Sequence, residues 1–220
     1  MHVLIISGSR NPEGRTAGCA GAVARGLARA GATSEAVFLT ACNLERCHQC
    51  DADGWGLCLR EGRCIIEDDF ASLVEKIVSA DVVVFANPVY FSELSESMRA
   101  FLDRLRRISY RRPEQPLKGK PAFGVCMAGS GGGGAPFCCF SLERVLRTIG
   151  FSVVEVVPVR RQNIDGRLPM LETAGERLAA GHGTGSRSLN QRLGSLTRWI
   201  ISVVVYLAYY RLGPVRRMRL

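Results

Sequence analysis

Five short apolar runs, each about the length of a buried strand, recur along the chain. They are HVLIIS (His2 to Ser7), EAVFL (Glu35 to Leu39), DVVVFA (Asp81 to Ala86), AFGVCMA (Ala122 to Ala128) and FSVVEVV (Phe151 to Val157). Strands that are apolar on both faces need cover on both sides, which specifies a parallel sheet between two layers of helices. The intervening stretches supply those layers. TAGCAGAVARGLARAGA (Thr16 to Ala32) is ended by glycine, and DDFASLVEKIVSA (Asp68 to Ala80) opens on acids suited to capping a helix N-terminus. Further helices are predicted around Ser95 to Arg107 and from about Phe137 to Ile149.

Right-handed crossovers and short connections leave few ways to join five such strands. The predicted fold is α/β, a flavodoxin-like three-layer α/β/α sandwich with a five-stranded parallel sheet in the order 2-1-3-4-5. At 220 residues one core is expected, over residues 1–180, with a Cys-rich insertion at 42–67. Residues 181–220 read as a glycine-rich linker followed by an apolar, basic helix or tail. Its apolar run between Arg198 and Arg211 is too short, at about 1.5 Å per residue, for a hydrocarbon core of about 30 Å. Packing on the core or across a dimer is preferred there to peripheral membrane contact. MHVLIISGSR has no basic n-region and reads as a first strand rather than a signal peptide, so a cytoplasmic location is expected.

The net charge of +9 is concentrated in Met98 to Arg112 and Gly213 to Leu220. No zinc-finger spacing, helix-turn-helix signature or basic-aromatic interleaving accompanies it, which puts nucleic acid behind anionic cofactors as a partner. Arg104 to Arg112 is placed at the adenosine phosphates of NADPH or at a dimer contact.

Ligands in such sheets bind beyond the C-terminal strand ends, where the strand order reverses. Three loops leave those ends. SGSRNPEGRTA (Ser7 to Ala17) offers hydroxyl, guanidinium and backbone donors before a helix, and suits a monophosphate better than a triphosphate because it lacks a lysine-bearing phosphate loop. NPVYFSELSESMRAFLDR (Asn87 to Arg104) presents Tyr90 and Phe91 to a flat heterocycle, and AGSGGGGAPFCC (Ala128 to Cys139) lets backbone amides approach it.

Four cysteines at C-x2-C-x7-C-x5-C spacing, Cys47, Cys50, Cys58 and Cys64, can hold a [4Fe-4S] cluster, hold zinc, or remain free. Trp55, in the long gap DADGWGL, reads as a cover for a flavin or an interface, or as a structural tryptophan.

The order SGSR…GRTA, C-x-x-C…GRCIIEDDF, SADVVVFANPVYFSELSESMRAFLDR, AGSGGGG resembles the NADPH-dependent FMN reductase family of flavodoxin-like proteins, and within it the iron-sulfur flavoprotein group, over about Met1 to Val157. The resemblance implies FMN, with its phosphate at Ser7, Ser9, Arg10, Arg15 and Thr16. It places the ring against Pro88, Val89, Tyr90 and Phe91, with Gly129, Ser130 and Gly131 nearby. It implies an FMN-dependent oxidoreductase moving electrons between NAD(P)H or a protein donor and a quinone, nitro compound or flavin. The metal-site candidates are Cys47, Cys50, Cys58 and Cys64, although the group's own motif has a shorter second gap. No general acid or base is expected, since the flavin carries the redox chemistry. A homodimer or homotetramer is implied. An electron carrier without a small-molecule substrate, and a dehydrogenase of a cyclic biosynthetic intermediate, are the alternatives.

Overall fold

The structure is a computed structural model, and it describes residues 1–110, 112, 115–129 and 132–181. The linker and apolar helix expected beyond them, and the expected contacts of Ser130 and Gly131, lie outside the described residues.

Strands β1 (His2–Ser7), β2 (Thr33–Phe38), β3 (Val82–Val89), β4 (Pro121–Ala128) and β5 (Ser152–Arg160) form one parallel sheet in the order β2-β1-β3-β4-β5. Val3, Ile5, Val82, Val84 and Val125 share one apolar cluster with residues of α1 (Arg15–Arg29) and α6 (Ile164–Ala179). Leu4, Ile6, Val83 and Phe85 share the other with α3 (Phe70–Ser79), α4 (Glu96–Ser109) and α5 (Ala135–Ile149). Neighbours along a strand thus enter opposite clusters, as the two-sided burial of a flavodoxin-like sheet requires.

Several element ends differ by up to three residues from the sequence expectation: β2 is Thr33–Phe38 rather than Glu35 to Leu39, β5 continues to Arg160, and α1 stops at Arg29. β3 continues through Asn87, Pro88 and Val89 because these stay in register with Cys126, Met127 and Ala128 of β4. Helix α6, not anticipated from the sequence, contains Pro169 and the glycines Gly166 and Gly175, residues that ordinarily argue against a helix. Its packing on α1 explains one of them. An added Cβ at Gly26 would lie 1.8 Å from the Glu172 carbonyl oxygen, and one at Gly175 would lie 2.2 Å from that of Val23. The two backbones approach so closely that a methyl group cannot be inserted between them.

The cysteine-bearing segment between β2 and α3, which includes the short helix α2 (Leu57–Arg60), is tied down by a buried ion pair. The side chains of Arg104 on α4 and Asp68 are 1% and 0% exposed. Arg104 Nη1 donates to Asp68 Oδ2 at 2.5 Å and to the Glu45 carbonyl at 2.9 Å, while Nη2 donates to Asp68 Oδ1 at 2.9 Å. Asp68 also accepts the Glu45 and Phe70 N–H groups. Burial works against its charge, but these donors, led by Arg104, hold its carboxyl below the usual value. Asp68 is therefore chiefly a counter-ion. Asp69, at the N-cap, makes no side-chain cap and instead receives Asn43 N–H at 2.7 Å. Arg104 is likewise buried, which removes it from the surface cluster expected to meet NADPH or a second subunit.

Gly26→Ala should lower stability by about 1–3 kcal/mol through overpacking, while Gly21→Ala, in the same helix with only an arginine tip 3.6 Å from the added carbon, should raise it by about 0.5–1 kcal/mol. Urea unfolding reads both. Arg104→Met, which strands a buried carboxylate, should cost about 3–5 kcal/mol, and adding Asp68→Leu should recover much of that. The stability contributed by Asp68 is present above its unfolded pKa and is lost as pH falls through its lowered folded value. The difference in melting temperature between wild type and Asp68→Asn should therefore shrink in acid.

Candidate functional site

The loop after β1 turns through Asn11. Glu13 N–H donates to Asn11 Oδ1 at 2.9 Å, Gly14 N–H donates to the Asn11 carbonyl, and Ser9 Oγ bonds to both N–H and C=O of Asn11. The loop delivers Gly14 as N-cap of a fifteen-residue helix with no side-chain cap, leaving first-turn N–H groups without the usual hydroxyl or carboxylate acceptor. Ser7, Ser9 and Thr16 are buried around this turn, whereas Arg10 and Arg15 are exposed. A phosphate monoester fits such a terminus, with the hydroxyls beneath it and the guanidinium groups outside.

The β3–α4 loop is set by Asn87, a fully buried residue that the sequence reading passed over. Its Oδ1 accepts from Ser95 N–H at 3.1 Å and from Ser95 Oγ at 3.1 Å, and its Nδ2 donates to the Pro88 carbonyl at 2.7 Å. Ser95 in turn caps α4 by accepting Met98 N–H. The loop reverses at Phe91 and Ser92, both in the left-handed region (φ 49° and 68°), between paired Tyr90 and Glu93. Such backbone is costly for a phenylalanine, and its side chain is fully exposed. Strain that displays an aromatic ring at a strand end is suited to contact with a planar ligand. Pro88 is buried in β3, Val89 is half-buried and Tyr90 is half-exposed.

The three loops come together at one edge of the sheet. Gly8 N–H donates to the Ala86 carbonyl, Ser97 Oγ donates to the Gly8 carbonyl, and a Cβ at Gly134 would meet Ser92 at 2.7 Å. Gly129, the residue after β4, is exposed. A cleft of about 970 Å³ opens beside them, lined by Gly8, Arg10, Tyr90 and Ser97 together with Cys42 and Arg46 from the approach to the cysteine segment. Of the described residues expected to hold the cofactor, Arg10 and Tyr90 line it, whereas Ser7, Ser9, Arg15, Thr16, Pro88, Val89, Phe91 and Gly129 do not.

A second cavity, of about 20 Å³, is lined by all four spaced cysteines, Cys47, Cys50, Cys58 and Cys64, with Trp55, Arg104 and Arg107. Cys50 is exposed, and slight desolvation followed by the neighbouring Cys47, Cys64 and Cys58 raises its thiol above its ordinary value. Arg104 Nη2 donates to Cys64 Sγ at 3.3 Å, and Arg107 lies 5.0 Å over the Trp55 ring while donating to the Gly54 carbonyl at 2.6 Å. Trp55 stacks on Tyr110 with ring centroids 4.8 Å apart and forms part of the cavity wall. His48 bonds to Glu45. Among the described residues, no three His, Cys, Asp or Glu side chains converge closely enough to hold a single metal ion. Cys138 packs in the core, where it accepts from Asn87 Nδ2 at 3.3 Å.

The chain is 32% identical over 136 residues to an iron-sulfur flavoprotein of Methanocaldococcus jannaschii, covering 61% of this chain and 65% of that one. It is 34% identical over 103 residues to an FMN-dependent NADH:quinone oxidoreductase of Thiobacillus denitrificans, covering 43% of this chain and 50% of that one. The chain thus spans less than two-thirds of the length of either relative. Among solved structures, an NAD(P)H:quinone oxidoreductase from Methanothermobacter marburgensis superposes with a TM-score of 0.60 at 21% identity, over 81% of this chain and 96% of that one, which supports the flavodoxin-like fold. The family profile described as NADPH-dependent FMN reductase matches residues 1–163, a span that takes in all five strands and all three loops, and the chain belongs to that family.

Proposed function

We propose that the chain is an FMN-dependent oxidoreductase that takes electrons from NAD(P)H or a protein donor, delivers them to a small acceptor such as a quinone, and carries a [4Fe-4S] cluster on Cys47, Cys50, Cys58 and Cys64. The observation that carries this reading is the meeting of four widely spaced thiols on one cavity, on a fold whose phosphate-type turn and ring-presenting loops lie at a single sheet edge.

The donor set fits both groups. Ser7, Ser9 and Thr16 would bind the FMN phosphate at the α1 terminus, with Arg10 and Arg15 neutralising it from solvent, while Tyr90, Phe91 and Gly129 would flank the ring. Bound there, FMN would supply hydride and single-electron chemistry. The chain's own residues orient the ring and exclude water, and none needs to act as an acid or base. At the thiols, zinc would require sulfurs at about 2.3 Å from one centre. Four cysteine side chains on one cavity are the donor set of a [4Fe-4S] cluster, and the iron-sulfur flavoproteins among the relatives favour that group over zinc. A 20 Å³ space holds little more than a water, so the cavity would have to open to admit a cluster. The cleft beside Tyr90 and Arg10 favours an enzyme with a small-molecule acceptor over a carrier that docks only to proteins.

Protein purified without oxygen should contain FMN and about four irons per chain. It should oxidise NADPH or NADH in the presence of a benzoquinone faster than free FMN does, and equality with free FMN would refute the activity. Cys58→Ser should lose iron and keep FMN. Thr16→Val should weaken FMN binding about tenfold or more, as expected for a lost hydrogen bond to a charged group, and leave iron unchanged.

A further inference from the structure

We propose that Arg104 is a positioning residue that sets the reduction potential of the cluster. It would do so by holding one guanidinium N–H on Cys64 Sγ while Asp68 fixes its orientation. This rests on the cluster assigned under Proposed function.

The geometry separates this role from that of an ordinary buried ion pair. A bidentate fork onto a carboxylate satisfies two N–H groups. Arg104 directs two others outward, one to the Glu45 carbonyl at 2.9 Å and one to Cys64 Sγ at 3.3 Å. Its Nε is buried and has no hydrogen-bond partner among the described residues. The Phe70 ring, 4.2 Å from Cζ, packs against the plane of the group. A thiol is a weak acceptor, and a thiolate bound to a cluster is a far better one. The contact therefore has most to gain once Cys64 is a ligand.

The sign of the effect follows from charge. A four-iron cluster on four thiolates is an anion, and reduction adds one electron to it. A fixed cation within hydrogen-bond reach of a ligand sulfur, in a side chain 1% exposed, stabilises the reduced form more than the oxidised one. The electron comes from the reduced flavin of the proposed activity. No proton accompanies it at Arg104: burial opposes the charge, but Asp68 and Cys64 hold the guanidinium ionised at every relevant pH. Asp68 acts in the opposite direction, because its carboxylate offsets part of the cation. Arg107 lies over Trp55, and among the described residues its hydrogen bonds go to Gly54 and Asp103 rather than to a cysteine.

The test is a redox titration of the reconstituted full chain, followed by electron paramagnetic resonance, with iron, sulfide and FMN measured on each sample. Arg104→Lys keeps the charge and loses the fork, and Arg104→Gln loses both. Each should lower the reduction equilibrium constant at least tenfold, a shift of about 59 mV for a one-electron couple, with Arg104→Gln the larger. Asp68→Asn should shift it the opposite way, a reversal that general loosening of the loop cannot produce. Arg107→Gln should shift it less than Arg104→Gln does. Unchanged potentials at wild-type iron content, shifts of the same sign in the Arg104 and Asp68 variants, or loss of iron from Arg104→Lys with FMN retained would each overturn the proposal. Absence of iron and sulfide from the wild type would instead overturn the cluster reading on which it rests.

Discussion

Burial of β1 on both faces is the constraint on which the rest depends. Val3 to Ser7 are each at most 1% exposed, and the strand is hydrogen-bonded to β2 on one edge and β3 on the other. Such a strand must be followed by a connection that leaves the sheet at its C-terminal edge and returns along one face. The sheet then grows to one side through β2 and to the other through β3, β4 and β5. The gap this reversal leaves between the two connections is where the Asn11 turn, the Phe91 reversal and the end of β4 meet. None of these loops was brought there by its own sequence. They share an edge because the strands before them are parallel.

The strands and their order were legible because a two-sided apolar run has few other uses. The misread boundaries have definite causes. Proline ended the predicted third strand at Ala86, yet Pro88 occurs near the C-terminal end of β3, where the pairing with β4 has only one more residue to run. Helix α6 escaped notice because Gly166, Pro169 and Gly175 all count as breakers in isolation. Gly175 is required there by Val23 on α1, a residue far away in sequence, so no local window could have weighed it correctly.

The site was legible to a similar depth. Cysteine spacing identified four candidate ligands, and those four thiols do line one cavity. What holds them was hidden in a run of arginines between Arg104 and Arg112. Charge runs ordinarily lie on a solvated face, and only burial distinguishes Arg104 from its neighbours: its counter-ion comes from the start of a different helix. Asn87 was hidden for the same reason. An asparagine before proline reads as a turn, whereas here it joins the β3 end, the cap of α4 and the core thiol Cys138.

Helix α4 connects the two parts of the site. Its N-cap, Ser95, is bonded to Asn87, and Ser97 in its first turn is bonded to Gly8, which fixes that end against the loops assigned to FMN. Arg104, nine residues beyond Ser95, and Arg107, one turn further, face the thiol cavity. At about 1.5 Å per residue, the helix sets Arg104 about 14 Å from Ser95 along its axis. A buried ion pair is seldom the most stable way to fill such a space, since apolar side chains of similar volume often do as well or better. Apolar filling would leave the Glu45 carbonyl and the Glu45 and Phe70 N–H groups without the partners that Arg104 and Asp68 give them. It would also leave nothing to donate to Cys64. The charged pair anchors the two ends of the cysteine segment to a helix whose other end is anchored at the loops proposed to hold FMN, so one rigid element supports both proposed sites.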